Sequence, residues 1–305
     1  NYTSSNTGVV TVSSSGYVNI KGAGTATITV KAPMTENYKA AQKTIQITVT
    51  KKTQTISGSS SYRAVYGDES FAIDAAAQTE LSYATSDAGV AEVDQSGYVI
   101  INGAGTATIT VTAAESDIYK SASKTITVNI AKASQGIDVQ PDFWFDLGDG
   151  PFYLDAKSET GRFRYSSSNT KIAKVSTSGR VTIKNPGKAK IYITALSDSN
   201  YKSAKRTVYI SVGMKTPELS CKNEFKKIKF TWSKVPGAGG YKVYVYDKNK
   251  NKYICKMTKK SSQRYVVIRE PKIGKQYKVK VRAYKVVNGR TMYSPYSNVV
   301  SAIGE

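Results

Sequence analysis

Trp144 and Tyr153 are the residues best placed to do chemistry, because each sits in a run that mixes aromatic rings with carboxylates: Asp142-Phe143-Trp144-Phe145-Asp146-Leu147 and Phe152-Tyr153-Leu154-Asp155. Phe143, Phe145 and Leu147 share one strand parity and Phe152 and Leu154 another, which turns Trp144 and Tyr153 to the outer face of adjacent strands. Exposed rings on neighbouring strands would stack on a sugar ring or anchor a protein partner. Asp142, Asp146, Asp149 and Asp155 surround them and could accept hydrogen bonds from hydroxyls. The same acids raise Ca2+ as an occupant, but their spacing matches no known calcium loop and no metal is expected. The competing reading packs Trp144 and Tyr153 against a neighbouring domain.

A second constellation alternates cations with tyrosines. If Tyr241, Val243 and Val245 point inward, Lys242, Tyr244 and Tyr246 point out; if Tyr277, Val279 and Val281 are core, Lys278, Lys280, Arg282 and Tyr284 lie outside. Such a face would grip a polyanion, whether teichoic acid, a sulfated or sialylated glycan, or nucleic acid without sequence specificity. The bland reading is a solvated Lys-rich sheet that keeps the protein soluble.

Little else is equipped for catalysis. The chain has no His, the commonest general base and metal ligand, and its two cysteines are too few for a zinc cluster. It has no Gly-x-Ser-x-Gly elbow and no paired-carboxylate motif, so no enzyme and no cofactor are expected. Cys221 and Cys255 could pair, but free buried thiols are the expected state. No segment approaches the roughly 20 apolar residues of a membrane helix, so membrane insertion is not expected.

The elements that must position these residues are strands. Alternation over Ala26-Thr27-Ile28-Thr29-Val30 and Thr125-Ile126-Thr127-Val128-Asn129-Ile130 is what a strand buried on one face requires. They recur. Tyr2-Thr3-Ser4-Ser5-Asn6 returns as Tyr83-Ala84-Thr85-Ser86-Asp87 and Tyr165-Ser166-Ser167-Ser168-Asn169, at offsets of 81 and 82. Ser-Gly pairs at 15–16, 96–97 and 178–179 mark hairpin turns, and residues 22–30 and 103–111 are identical. The glycines of Gly22-x-Gly24 are not read as a phosphate loop, because no helix follows them. Charge is uneven: residues 1–133 are net zero, 134–213 net +5 and 214–305 net +17, which recovers the total of +22.

The repeated pattern Ser-Ser-Asn…Ser-Gly…Val…Gly-x-Gly-Thr-Ala-x-Ile-Thr resembles the bacterial immunoglobulin-like group 2 family over residues 1–213, with Tyr83 and Tyr165 where many members carry Trp. Pro217-x-Leu219, Trp232, Gly240-Tyr241-x-Val243-x-Val245 and Tyr277-x-Val279-x-Val281-x-Ala283-Tyr284 resemble a fibronectin type III domain, with Tyr277 at its tyrosine corner. The resemblances imply an all-β fold of tandem immunoglobulin-like β-sandwiches arranged as an elongated rod. Its parts are a truncated repeat (1–52, lacking its first two strands through a boundary of the fragment or completed by another chain), full repeats at 53–133 and 134–213, and a fibronectin-like domain at 214–305. They also imply a monomeric, extracellular stalk or adhesin region of a Gram-positive surface protein. Its partner would be a host glycan or a host protein, an immunoglobulin among them. The alternative is a spacer of a secreted hydrolase or wall protein that binds anionic wall polymer.

Overall fold

The alternating Thr, Val and Ile segments become strands throughout; the computed structural model describes residues 1–305 and all its regular elements are strands. Residues 1–52 hold β1 (Tyr2–Ser4), β2 (Val10–Val12), β3 (Val18–Ile20), β4 (Gly24–Ala32) and β5 (Ala41–Val49). Residues 53–133 hold β6 (Ser61–Val65), β7 (Phe71–Ala72), β8 (Leu81–Thr85), β9 (Ala91–Val93), β10 (Tyr98–Ile101), β11 (Gly105–Ala113) and β12 (Ala122–Ala131). Residues 134–213 repeat that series as β13 (Asp142–Asp146), β14 (Phe152–Tyr153), β15 (Phe163–Ser167), β16 (Ala173–Val175), β17 (Arg180–Ile183), β18 (Gly187–Ala195) and β19 (Ala204–Gly213). The remainder holds β20 (Leu219–Glu224), β21 (Lys227–Trp232), β22 (Gly240–Asp247), β23 (Lys252–Lys260), β24 (Tyr265–Arg269), β25 (Gln276–Val287), β26 (Arg290–Tyr293) and β27 (Val300–Ile303).

Each full repeat is a two-sheet sandwich. In the second, β6-β12-β11-β8 covers β7-β10-β9; in the third, β13-β19-β18-β15 covers β14-β17-β16. The first and last strands pair in parallel and the others antiparallel. Inward side chains of both sheets form the core: Ile109, Val111, Ile126 and Val128 in the second repeat and Ile191, Ile193, Val208 and Ile210 in the third are fully buried. Within residues 1–52 only the sheets β1-β4-β5 and β2-β3 form. With no counterpart of β6 beside it, β5 leaves Ile45 47% exposed, whereas Ile126 at the same register is 0% exposed.

Two of the repeated motifs turn out to touch. The Ser-Gly glycines have φ of +82°, +82° and +77° (Gly16, Gly97, Gly179), and the tyrosine rings of Tyr2, Tyr83 and Tyr165 lie over them, about where a Cβ would have to go. Turn and ring thus demand glycine for two independent reasons.

The chain divides into two compact units, Asn1–Ala133 with Ser199–Tyr201, and Ser134–Asp198 with Lys202–Glu305. Inside the second unit the third repeat and the C-terminal sandwich share one continuous core. Leu147, Met214 and Val235 are buried at their joint, and Gly237 (φ +67°) approaches so closely that a Cβ would stand 2.4 Å from Leu147 Cδ2. Asp149 and Lys215 form an ion pair at 3.8 Å across it.

In the C-terminal sandwich β20-β21-β24 faces β23-β22-β25-β26, with β27 paired to β25. Trp232 packs on Tyr241, whose hydroxyl accepts the Val235 N–H at 2.9 Å. The Tyr277 hydroxyl accepts the Lys272 N–H at 3.1 Å, which is the bond of a tyrosine corner. Cys221 and Cys255 are both free, but only Cys221 is even half-buried; Cys255 is exposed because β23 is an edge strand.

Candidate binding surfaces

Alternation along β13 sends Phe143 and Phe145 inward, where both rings pack against Phe152 with centroids 4.9 and 4.3 Å away. Asp142, Trp144 and Asp146 therefore share the outer face. Trp144 is 78% exposed. Register then sets its neighbours: Trp144 lies beside Ser211, which lies beside Lys188; Asp142 lies beside Tyr209, which lies beside Lys190; Tyr192 follows on β18, paired with Thr207. Ser211 is the small residue between two large ones, so the face is not flat. A groove of about 550 Å3 runs over it, walled by Trp144, Tyr209 and Tyr192 and edged by Asp142, Lys188 and Lys190. A second groove, about 430 Å3, lies on the other side of Trp144 against Asp146, Asp149 and Met292. Lys190 Nζ sits 5.5 Å from the Tyr209 ring centroid.

Tyr153 is exposed too, but it is not next to Trp144. It pairs with Arg180 in the sheet β14-β17-β16, on the opposite side of the sandwich. The expected two-ring platform on adjacent strands is thus corrected: β13 does not hairpin with β14 but pairs in parallel with β19, more than 60 residues on. Nor do the four acids converge, and no cluster of three metal-ligating side chains exists. Asp149 instead closes its own turn, its Oδ2 accepting the Asp146 N–H at 2.8 Å.

The residues that join Trp144 in the groove, Tyr192, Tyr209, Lys188 and Lys190, were not singled out from the sequence. A signal for them exists. Their partners at an offset of 82 are Thr110, Thr127, Thr106 and Thr108, and Trp144 itself replaces Arg63. A threonine face has become an aromatic and basic one.

On the C-terminal sandwich the predicted parity holds: Lys242 is opposite Arg282 and Tyr244 opposite Lys280. The face is nevertheless not an open row of cations. The segment Tyr293-Ser294-Pro295-Tyr296-Ser297 lies along β25, where the Ser294 and Ser297 hydroxyls accept the N–H groups of Ala283 and Val281, each at 2.9 Å. It thereby places Tyr293 and Tyr296 between the cations. Lys242 stands 5.2 Å over Tyr293, Arg282 lies 3.8 Å from Tyr293 and 4.7 Å from Tyr296, and Lys280 lies 3.9 Å from Tyr296 and 4.4 Å from Tyr253. Tyr253 meets Tyr246, and Lys278 stands 5.7 Å over Tyr246.

Tyr244, expected outside, is 9% exposed because Tyr296 and Arg282 cover it; Arg282 Nε and Nη2 donate to its hydroxyl at 3.0 and 2.7 Å. Burial pushes the Tyr253 and Tyr296 hydroxyls above their ordinary pKa, and the hydrogen bond to Tyr293 raises that of Lys242. Tyr284 lies on the same face, its ring against Gly240. The ladder spends its charges on tyrosines.

Comparison with known proteins bears on the repeats. The model of the intimin immunoglobulin-like domain matches residues 1–33 and 75–115, and that of the bacterial Ig-like domain (group 2) matches residues 153–208. The group 2 resemblance drawn from the motifs is thus matched in the third repeat, while the first two match the intimin domain. No curated protein matches the chain. Among solved structures it is similar to Sidekick-1 immunoglobulin domains 1–5 (12% identity over 97% of this chain and 73% of that one, TM-score 0.29). It is also similar to Drosophila N-cadherin EC1–3 (16%, 69% and 88%, 0.28) and to a two-domain fibronectin type III segment of chicken tenascin (12%, 70% and 97%, 0.34). No helix is long and apolar enough to cross a membrane.

Proposed function

We propose that this chain is a non-catalytic extracellular stalk region of a bacterial surface protein whose third repeat binds a glycan of the host. The observation that carries the reading is Trp144, 78% exposed and walling a groove with Tyr192 and Tyr209 where the second repeat has only threonines and an arginine. Large apolar rings left in water on one of two otherwise matched faces need a reason, and a sugar's apolar ring face is a fitting occupant. A groove of about 550 Å3 is sized for a few sugar units, whereas a protein partner would need about 800 Å2 of contact on each side. The matches to bacterial and intimin immunoglobulin-like domains support the placement at a cell surface.

The wall-polymer alternative rests on the net +17 of residues 214–305. It is weakened at the face it would use, because Lys242, Lys280 and Arg282 are half-buried among Tyr253, Tyr293 and Tyr296 whereas Lys188 and Lys190 are exposed. Binding to an array of glycans, wall polymers and host proteins at low and physiological salt separates the two. A glycan hit that persists in salt and weakens about tenfold in Trp144→Ala supports the proposal. A hit confined to low salt and indifferent to Trp144 would replace it with the spacer reading, since phosphate-type contacts weaken steeply as counterions return.

A further inference from the structure

The groove beside Trp144 has a charge that a neutral sugar does not need. Lys188 and Lys190 project from β18 onto the same face, two residues apart and so about 7 Å from each other along the strand. Neither ammonium lies within ion-pair distance of a carboxylate, unlike those of Lys51, Lys215 and Lys227. Arg164 and Lys205 add to the same outer face by register, opposite Thr194 on β18, while Asp142 is the acid on the groove's rim and Asp146 lies beyond Trp144. The arrangement is therefore graded: a ring wall at Trp144, a low floor at Ser211, and a pair of unpaired cations on the far bank at Lys188 and Lys190, with the Tyr209 ring at one end. In the second repeat the same positions are Arg63, Asn129, Thr106 and Thr108, so ring and paired ammonium groups arise together in the third.

Resting on the glycan reading above, we propose that the ligand is an acidic glycan, one whose sugar ring stacks on Trp144 while a carboxylate or sulfate on that ring or the next is held by Lys188 and Lys190. Tyr209 sets the end of the groove and keeps Lys190 over the site through its ring. Charge and stacking are read by different residues, which makes the two parts separable.

The test is calorimetric titration of the whole chain with a uronic-acid hexasaccharide, its carboxyl-reduced neutral counterpart, and a poly(glycerol phosphate) that has charge but no sugar ring. The uronate should bind about tenfold more tightly than the neutral sugar, a difference that narrows as salt is raised. The double variant Lys188→Gln/Lys190→Gln should lose that preference, and Trp144→Ala should weaken both sugars about tenfold. Equal affinity for the two sugars, or an unchanged preference in the lysine variant, overturns the acidic-glycan inference alone. Failure of both sugars to bind, or indifference to Trp144→Ala, overturns the glycan reading beneath it. Poly(glycerol phosphate) bound as tightly as the uronate would make the site a plain polyanion patch and sink the stacking role. Circular dichroism on each variant guards against misfolding, and all the substituted side chains are exposed.

Discussion

The second and third repeats are built on one register, yet they differ in opposite ways inside and out. Inside, Ile109 and Ile191 occupy the same place and are both fully buried, and Tyr62, Phe71 and Ile73 become Phe143, Phe152 and Leu154. Outside, Thr106, Thr108, Thr110 and Thr127 become Lys188, Lys190, Tyr192 and Tyr209, and Arg63 becomes Trp144. A packed interior accepts only exchanges of similar volume, so its changes report packing. An outer sheet face is almost indifferent to what it carries, so a concerted change there reports use.

The largest effects test the claim that the interiors are equivalent but differently connected. Ile109→Ala and Ile191→Ala should each cost about 2–5 kcal/mol, since each empties a fully buried site. Their reach should differ. Ile109→Ala should lower the melting of the first unit alone, whereas Ile191→Ala should also lower the unfolding temperature seen by Trp232 in the C-terminal sandwich, because the two sandwiches share the core at Leu147, Met214 and Val235. Fluorescence in a Trp144→Phe background isolates Trp232. Independent unfolding of the C-terminal sandwich in Ile191→Ala would show that the joint transmits nothing. Adding Leu147→Ala should produce that uncoupling deliberately, for about 2–4 kcal/mol of its own.

How far this could be read beforehand depends on the range of the interaction. Alternation and the repeat identify strands and their inward faces, because both are set by neighbours two residues apart; the exposure of Trp144 and Tyr153 follows from the same parity. The sheet to which each strand belongs is not local. Trp144 and Tyr153 lie on successive strands, and only the pairing of β13 with β19 separates them. The covering of Tyr244 was equally out of reach, since it depends on Ser294 and Ser297 taking the place of strand bonds and laying two tyrosines over β25. The partners of Trp144 were within reach, but only by comparing outer positions of the repeats, where attention to cores does not look.

Next in size is the ladder, a third outer face on which aromatic and basic side chains are spent on each other. Arg282→Ala should destabilise the C-terminal sandwich by about 1–2 kcal/mol through the lost contacts with Tyr293 and Tyr296, while affecting glycan binding by less than about twofold. If its loss is neutral in a denaturant titration and instead weakens polyanion binding, the ladder is a site and the contrast drawn with the third repeat fails.

Exchange of the outer faces should act on binding alone. Trp144→Arg, which installs the second repeat's residue, should weaken glycan binding about tenfold and change stability by less than about 0.5 kcal/mol, as an exposed side chain does. The reverse graft of Arg63→Trp, Thr106→Lys, Thr108→Lys, Thr110→Tyr, Thr127→Tyr and Asn129→Ser should raise the stoichiometry from one glycan to two. Unchanged stoichiometry in a folded graft would mean that the face is not sufficient.

The smallest effect concerns a turn that the repeats close with different oxygens. Asp94 Oδ1 accepts the Ser96 hydroxyl at 2.6 Å and the N–H groups of Tyr98 and Ser96 at 2.9 and 2.8 Å, and these bonds hold its carboxyl below the usual carboxylate range. In the third repeat the Ser176 hydroxyl accepts the equivalent Arg180 N–H at 3.0 Å and does not titrate. A carboxyl depressed in the folded state leaves the unfolded chain binding more protons, so its stabilisation is complete above about pH 4 and fades as pH falls through the lower folded value. The melting temperature of the first unit should therefore decline on acidification more steeply in the parent than in Asp94→Ser. Asp74, also depressed through its bond from the Tyr62 hydroxyl, should keep part of the slope in that variant. Replacing Tyr62 with Phe, as the third repeat does at Phe143, should remove more of it. If neither substitution flattens the acid limb, the two turns are held by their backbones alone, and aspartate or serine at that position is a matter of indifference.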